Sequence, residues 1–215
     1  MRTVAIRPSS AGSRCNSSVS AVRRRPRKTP LLYVGPSQIN FQVPWDALTN
    51  STVTVTTPTA TLAPIVMRAI SSTGIFHQPG SGFAAALNQN LSVNSATNPA
   101  HGGSIVALFA TGICGEDPLT PNGAIWRMGD QHPAGMGSGI FVSSNFDSLD
   151  QPLPVLYFGP APDLINGVCQ INVRLPQGAD NPTLTVYQIV PTSVANTGTV
   201  QLFAPSNTFQ VYAQP

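Results

Sequence analysis

Acyl transfer by a thiol or hydroxyl needs a nucleophile beside an imidazole that a carboxylate orients. In this 215-residue sequence the nearest residue types are Cys114, His132 and Asp130. Their setting argues against the chemistry. Cys114 closes an apolar strand at Gly112-Ile113-Cys114-Gly115, where a cysteine behaves as a small apolar side chain, and no Gly-x-Ser-x-Gly elbow occurs. Glu116, Asp117 and Asp130 offer the hard oxygens calcium prefers, but their spacing fits no calcium loop. They read instead as solvated acids around Pro118 and the Pro121-Asn122-Gly123 turn. Cys15, Cys114 and Cys169 contain no Cys-x-x-Cys pair, and with His77, His101 and His132 they repeat no zinc spacing. The expectation is a chain that is not an enzyme, with no catalytic, cofactor-binding or metal-ligating residues and no cofactor.

Two non-catalytic sites remain. Sugar binding on a β-scaffold uses exposed aromatic faces, and Trp45, Trp126, Tyr33 and Tyr157 are the candidates. Tyr33 and Tyr157 occupy equivalent positions of a repeat described below, which points to a shared core role, and Trp45 follows a strand-ending proline. Trp126, in a Gly-rich excursion between Gly123 and Gly129, is the candidate for ligand stacking. Cys114 and Cys169 end and begin predicted core strands and are the candidate disulfide. Closing their loop of about 55 residues would stabilise the fold by roughly 4 kcal/mol in the chain-entropy model. Two separate thiols are the alternative.

The elements that position these residues are strands. The longest stretch free of Gly and Pro, 83–98, carries Asn88, Asn90, Asn94 and Asn98, which are poor helix formers. β-Branched and alternating patterns predict strands at 31–34, 39–43, 52–57, 65–70, 104–111, 155–158, 169–175, 183–190 and 208–212. One pattern occurs twice. Leu32-Tyr33-Val34-Gly35-Pro36 precedes Gln38-Ile39-Asn40-Phe41-Gln42-Val43-Pro44, and Leu156-Tyr157-Phe158-Gly159-Pro160 precedes Gln170-Ile171-Asn172-Val173-Arg174-Leu175-Pro176. Alternation puts Ile39, Phe41 and Val43, or Ile171, Val173 and Leu175, on one buried face. Pro44 and Pro176 end their strands, because proline cannot donate a ladder hydrogen bond.

Charge separates the start of the chain from the rest. Only 9% of residues are charged, against roughly 25% in an average domain. Eight positive charges and no acid fall within residues 1–28, while the remainder holds three arginines against eight acids. The basic balance therefore belongs to a tail, expected to be disordered and to bind no nucleic acid specifically. No run of 18 apolar residues marks a membrane span, and residues 1–30 lack the apolar core of an export signal.

The ordered set Ser72-Thr73-Gly74-Ile75-Phe76, Ala84-Ala85-Ala86-Leu87-Asn88-Gln89, Val93-Asn94-Ser95, Asn98-Pro99-Ala100 and Gly103 to Gly112, with Gly159-Pro160-Ala161-Pro162 and Gln170-Ile171-Asn172-Val173, resembles an uncharacterised C-terminal domain that recurs in secreted proteins of acidobacteria. The likeness spans residues 31–215 and departs from the family pattern at residues 163–169. It implies an immunoglobulin-like β-sandwich, an extracellular or cell-surface location, and a protein or polysaccharide partner there. It carries over no catalytic residue.

The expected architecture is all-β: tandem immunoglobulin-like units, with a basic tail at 1–30, a partial sandwich at 31–79 and a complete one at 80–215. The first unit reads as a fragment, because nothing like the strand Gly103 to Gly112 precedes its LYVGP motif. The expected function is a non-catalytic structural or accessory module of a larger exported protein. The alternative is a carbohydrate-binding or adhesion module that uses exposed aromatics.

Overall fold

Alternating Thr and Val favour an extended backbone at Ser51–Thr56, and this strand organises the first of two compact units, Met1–Ile70 with Glu116–Ala124. A computed structural model describes residues 3–7, 27–36, 38–44, 47, 51–67, 73–113, 121–127, 139–144, 152–194 and 198–215. Every regular element among them is a strand, so the chain is all-β. In the first unit these are β1 (Thr3–Arg7), β2 (Arg27–Lys28), β3 (Leu31–Val34), β4 (Ile39–Phe41), β5 (Ser51–Thr56) and β6 (Ile65–Met67). One antiparallel sheet runs β2-β1-β5-β6. Its register sets Val4 opposite Val55 and Ile6 opposite Val53.

Thr3–Arg7 and Arg27–Lys28 are thus sheet strands, where the charge pattern placed both inside a disordered tail. The reason is backbone pairing. A lone β5–β6 ribbon leaves an open edge of donors and acceptors, and the Thr-Val-Ala-Ile segment completes it whatever the charges around it. Residues 8–26 lie outside the described residues.

The β3–β4 hairpin carries the first of the two similar sequence segments. Gln42 then anchors a turn from far along the chain. Its N–H donates to Pro30 O at 3.1 Å and its carbonyl accepts from the Thr29 hydroxyl, while Gly123 N–H donates to its Oε1 at 2.7 Å. Gly123 has φ +87° and the Ala124 N–H closes on Pro121 O at 3.0 Å. That is a type II turn, which requires glycine at its third position. This docking makes residues 116–124 part of the first unit.

The second unit, Ser71–Gly115 with Ile125–Pro215, starts at 71 rather than 80. It contains β7 (Gly74–Ile75), β8 (Ala86–Asn88), β9 (Ala100–His101), β10 (Ile105–Thr111), β11 (Ile140–Ser143), β12 (Val155–Pro160), β13 (Val168–Arg174), β14 (Thr183–Val194), β15 (Gly198–Pro205), β16 (Phe209–Gln210) and β17 (Ala213–Gln214). One sheet runs β12-β13-β10-β7, with β8 also on β10, and another runs β11-β14-β15, with β16 on β14. Alternate residues of both sheets meet in one core. Val106, Leu108, Ala110, Ile171 and Val173 come from the first sheet, and Val142, Leu184, Val186 and Phe209 from the second. Two sheets closed on a shared apolar layer make this unit a β-sandwich. The predicted strands at 104–111 and 169–175 are its central antiparallel pair, with Leu108 opposite Ile171.

The two hairpins share their local geometry. In β3–β4 Tyr33 faces Asn40 and Val34 faces Ile39, with a bulge between Leu31 and Tyr33. In β12–β13 Tyr157 faces Asn172 and Phe158 faces Ile171, with a bulge between Val155 and Tyr157. Gln38 Nε2 donates to Asn40 Oδ1 at 2.6 Å, and Gln170 Nε2 donates to Asn172 Oδ1 at 2.8 Å. Each tyrosine folds over the glycine two residues on. A Cβ at Gly35 would lie 2.6 Å from the Tyr33 hydroxyl, and one at Gly159 would lie 3.0 Å from that of Tyr157. The bulge leaves the ring room only if the next-but-one residue has no side chain, which accounts for glycine in both copies. Tyr33 is exposed and Tyr157 half-buried, so both are local staples and not the core residues expected.

Candidate functional site

Cys114, Glu116, Asp117, Asp130 and His132 lie outside the described residues, as does Trp45. The other half of the expected disulfide is described. Cys169 is fully buried, faces Ala110 across the central pair, and is disulfide-bonded. Among the described residues no group of three His, Cys, Asp or Glu side chains is placed to hold a metal ion.

Trp126 is not a stacking platform. It is 6% exposed, and the β12–β13 loop grips it on three sides. Its indole N–H donates to Asn166 Oδ1 at 3.0 Å, its backbone N–H donates to Leu164 O at 2.9 Å, and Asp163 N–H donates to its carbonyl at 2.6 Å. A buried indole needs an acceptor, and Asn166 supplies one. The loop bends to meet it through Asp163 at φ +61° and Gly167 at φ +97°. The tryptophan is thus what the loop between β12 and β13 holds.

Among the described residues there is one concavity that the aromatics did not signal. After β8 the chain makes a tight loop, residues 88–98, whose asparagines bond to one another. Buried Asn94 donates through Nδ2 to Asn88 Oδ1 at 2.9 Å and to Tyr212 O at 2.7 Å, and its Oδ1 accepts from Tyr212 N–H at 3.1 Å. Asn88 Nδ2 donates to Asn98 O at 2.9 Å. On this base sits a cleft of about 470 Å³, lined by Asn88, Gln89, Asn90, Asn98, His101 and Ser104, with Pro99 and Ala100 as its apolar part. No acid or strong base lines it.

Compared with known protein families, curated proteins and solved structures, the chain matches none. Its site must therefore be read from its own atoms. Sequence reasoning used the asparagines of 83–98 only as helix breakers. Five amides within eleven residues, Asn88, Gln89, Asn90, Asn94 and Asn98, in a segment also too polar for a core strand, were the available signal.

One titrating group responds to its packing. Burial raises the Tyr157 hydroxyl above its ordinary pKa of 10.0, and that hydroxyl donates to Pro160 O at 2.7 Å. Folding thus favours the neutral phenol. Its contribution is complete below the unfolded pKa and is lost as pH rises through the higher folded value. The urea midpoint is expected to fall above about pH 10, and less steeply in Tyr157→Phe. Parallel curves for the two proteins would show that Tyr157 carries none of the slope.

Proposed function

We propose that the chain is a non-catalytic structural or accessory β-sandwich module of a larger exported or cell-surface protein, built from a duplicated hairpin unit. The observation that carries this reading is where the motif residues direct their polar groups. In both hairpins the Gln and Asn bond each other, the tyrosine lies on its glycine, and the register and bulge repeat. Residues singled out by type and spacing thereby build the fold, and function in such scaffolds resides in sites grafted onto them.

The buried disulfide at Cys169 supports export, because disulfides persist in oxidising compartments. The resemblance to the C-terminal domain of secreted acidobacterial proteins points the same way, with a protein or polysaccharide at the cell surface as partner. The rival reading, sugar binding by exposed aromatics, loses its stacking residue with the burial of Trp126.

An antiserum raised against the chain tests the proposal on fractionated cells of its source. Detection outside the cytoplasm, in a species larger than the chain's 22.5 kDa, is expected. A signal confined to the cytoplasm at that mass would overturn it.

A further inference from the structure

We propose that the amide-lined cleft of the second unit binds a neutral saccharide. This goes beyond the module reading, and it can fail while that reading stands.

Three side chains carry the inference, because each uses one end of its amide on the fold and leaves the other end open. Gln89 Oε1 accepts from Ile105 N–H at 3.1 Å, and its Nε2 has no partner among the described residues. Asn90 Oδ1 accepts from the Ser92 N–H at 3.1 Å and from its hydroxyl at 2.6 Å, and its Nδ2 is likewise without one. Asn98 is reversed: Nδ2 donates to Ser92 Oγ and to Val93 O, both at 2.8 Å, and Oδ1 is open. His101 also lines the cleft, and Gln214 Nε2 lies 3.4 Å from its Nδ1. An amide NH₂ can only donate, so the neutral ring carries its proton on Nε2.

The cleft therefore offers two amide donors, one amide acceptor and an imidazole N–H. The lining decides the ligand class. A hard cation would need carboxylates, and an anion would need Arg or Lys; the cleft has neither. An apolar ligand would strand the open amides without water, which costs free energy for each unmade bond. A chain of hydroxyls fits, since every hydroxyl both donates and accepts, and Pro99 gives a pyranose C–H face something apolar to rest on. The volume of about 470 Å³ lies within the range of ordinary small-molecule sites, about 300–1,000 Å³.

The walls are ordered before any ligand arrives, because the anchored half of each amide fixes the open half. Binding then costs little side-chain entropy. The loop also holds Leu91 at φ +65° while leaving it 77% exposed. Left-handed backbone at a leucine is unfavourable and marks segments whose shape is used.

The test uses ¹⁵N-labelled protein titrated separately with maltohexaose, cellohexaose, xylohexaose and mannohexaose, with a hexagalacturonate as charged control. At least one neutral hexaose is expected to shift the side-chain amide signals of Gln89 and Asn90, with a Kd of about 1 mM or tighter. The variant Gln89→Glu/Asn90→Asp keeps both acceptor oxygens that hold the loop and replaces both open donors. It should weaken binding about tenfold or more, and its backbone amide spectrum reports whether it remains folded. No shift with any neutral hexaose, shifts confined to the hexagalacturonate, or wild-type affinity in the folded double variant would each overturn the proposal. Were that variant to unfold, His101→Ala is expected to weaken binding several-fold, and unchanged affinity there would overturn it equally.

Discussion

Reduction of the disulfide at Cys169 is expected to destabilise the second unit by about 4 kcal/mol, and peptide mapping of the non-reduced protein is expected to join Cys169 to Cys114. Cys169 faces Ala110 in the central pair. Three residues after Ala110, Ile113 is 3% exposed and belongs to the same apolar cluster as Cys169. The chain turns there, with Gly112 at φ +81°, and Cys114 follows Ile113 directly in the sequence. The loop so closed holds about 55 residues, and constraining it removes about 14 cal/mol/K from the unfolded chain, which sets the size of the effect. Urea midpoints with and without a reductant measure it, with Cys169→Ala as the second arm. Equal midpoints would remove the stabilising role, and a peptide joining Cys169 to Cys15 would reassign the partner.

Asn94→Leu should cost about 3 kcal/mol, a fall in melting temperature of about 10 °C. The side chain is fully buried and makes three hydrogen bonds, two of them to the backbone of Tyr212. Leucine has similar bulk, so the loss is in polar pairing: Tyr212 N–H and C=O and the Asn88 amide oxygen are left without their partner. Removing one side of a buried hydrogen bond costs more than the net worth of the bond. Asn181→Ala is the comparison. Its Oδ1 accepts from Ala213 N–H at 3.1 Å, but the residue is exposed, and about 1 kcal/mol is expected. Scanning calorimetry of the three proteins decides, and a shift below about 2 °C in Asn94→Leu would show that water replaces the amide freely.

Legibility followed the kind of force involved. The segments Ile105–Thr111 and Val168–Arg174 are apolar runs bounded by glycine or proline, and their pairing at the centre of a sandwich could be anticipated from the sequence. Thr3–Arg7 carries the same β-branched signal, but the arginines around it drew the reading toward a tail. Pairs such as Gly74–Ile75, Ala100–His101 and Ala213–Gln214 are strands only because a partner lies beside them, so nothing in two residues announces them. Trp126 was misplaced because glycines on either side suggest exposure, whereas its acceptor, Asn166, is forty residues away. The amide cleft was hidden for a related reason: an asparagine that bonds backbone and one that offers an open NH₂ are the same letter.

The closing segment of the second unit has a consequence for synthesis. Asn207 grips Ile75 through both backbone groups, its Oδ1 accepting at 2.7 Å and its Nδ2 donating at 3.3 Å. Gln210 bridges to Phe83, the Tyr212 ring stacks on that of Phe83 at 3.6 Å, and β17 lies parallel to β9. Each of these joins residues more than a hundred positions apart. A ribosome makes residues 75–101 long before it makes 207–214, so the nascent chain carries an unclosed sandwich until the later segment is made. Long-range closures of this kind are slow, and an open sheet edge in the meantime invites mispairing. Residues 207–214 therefore act as the latch of the second unit, whose sheets stay unclosed until that segment is made.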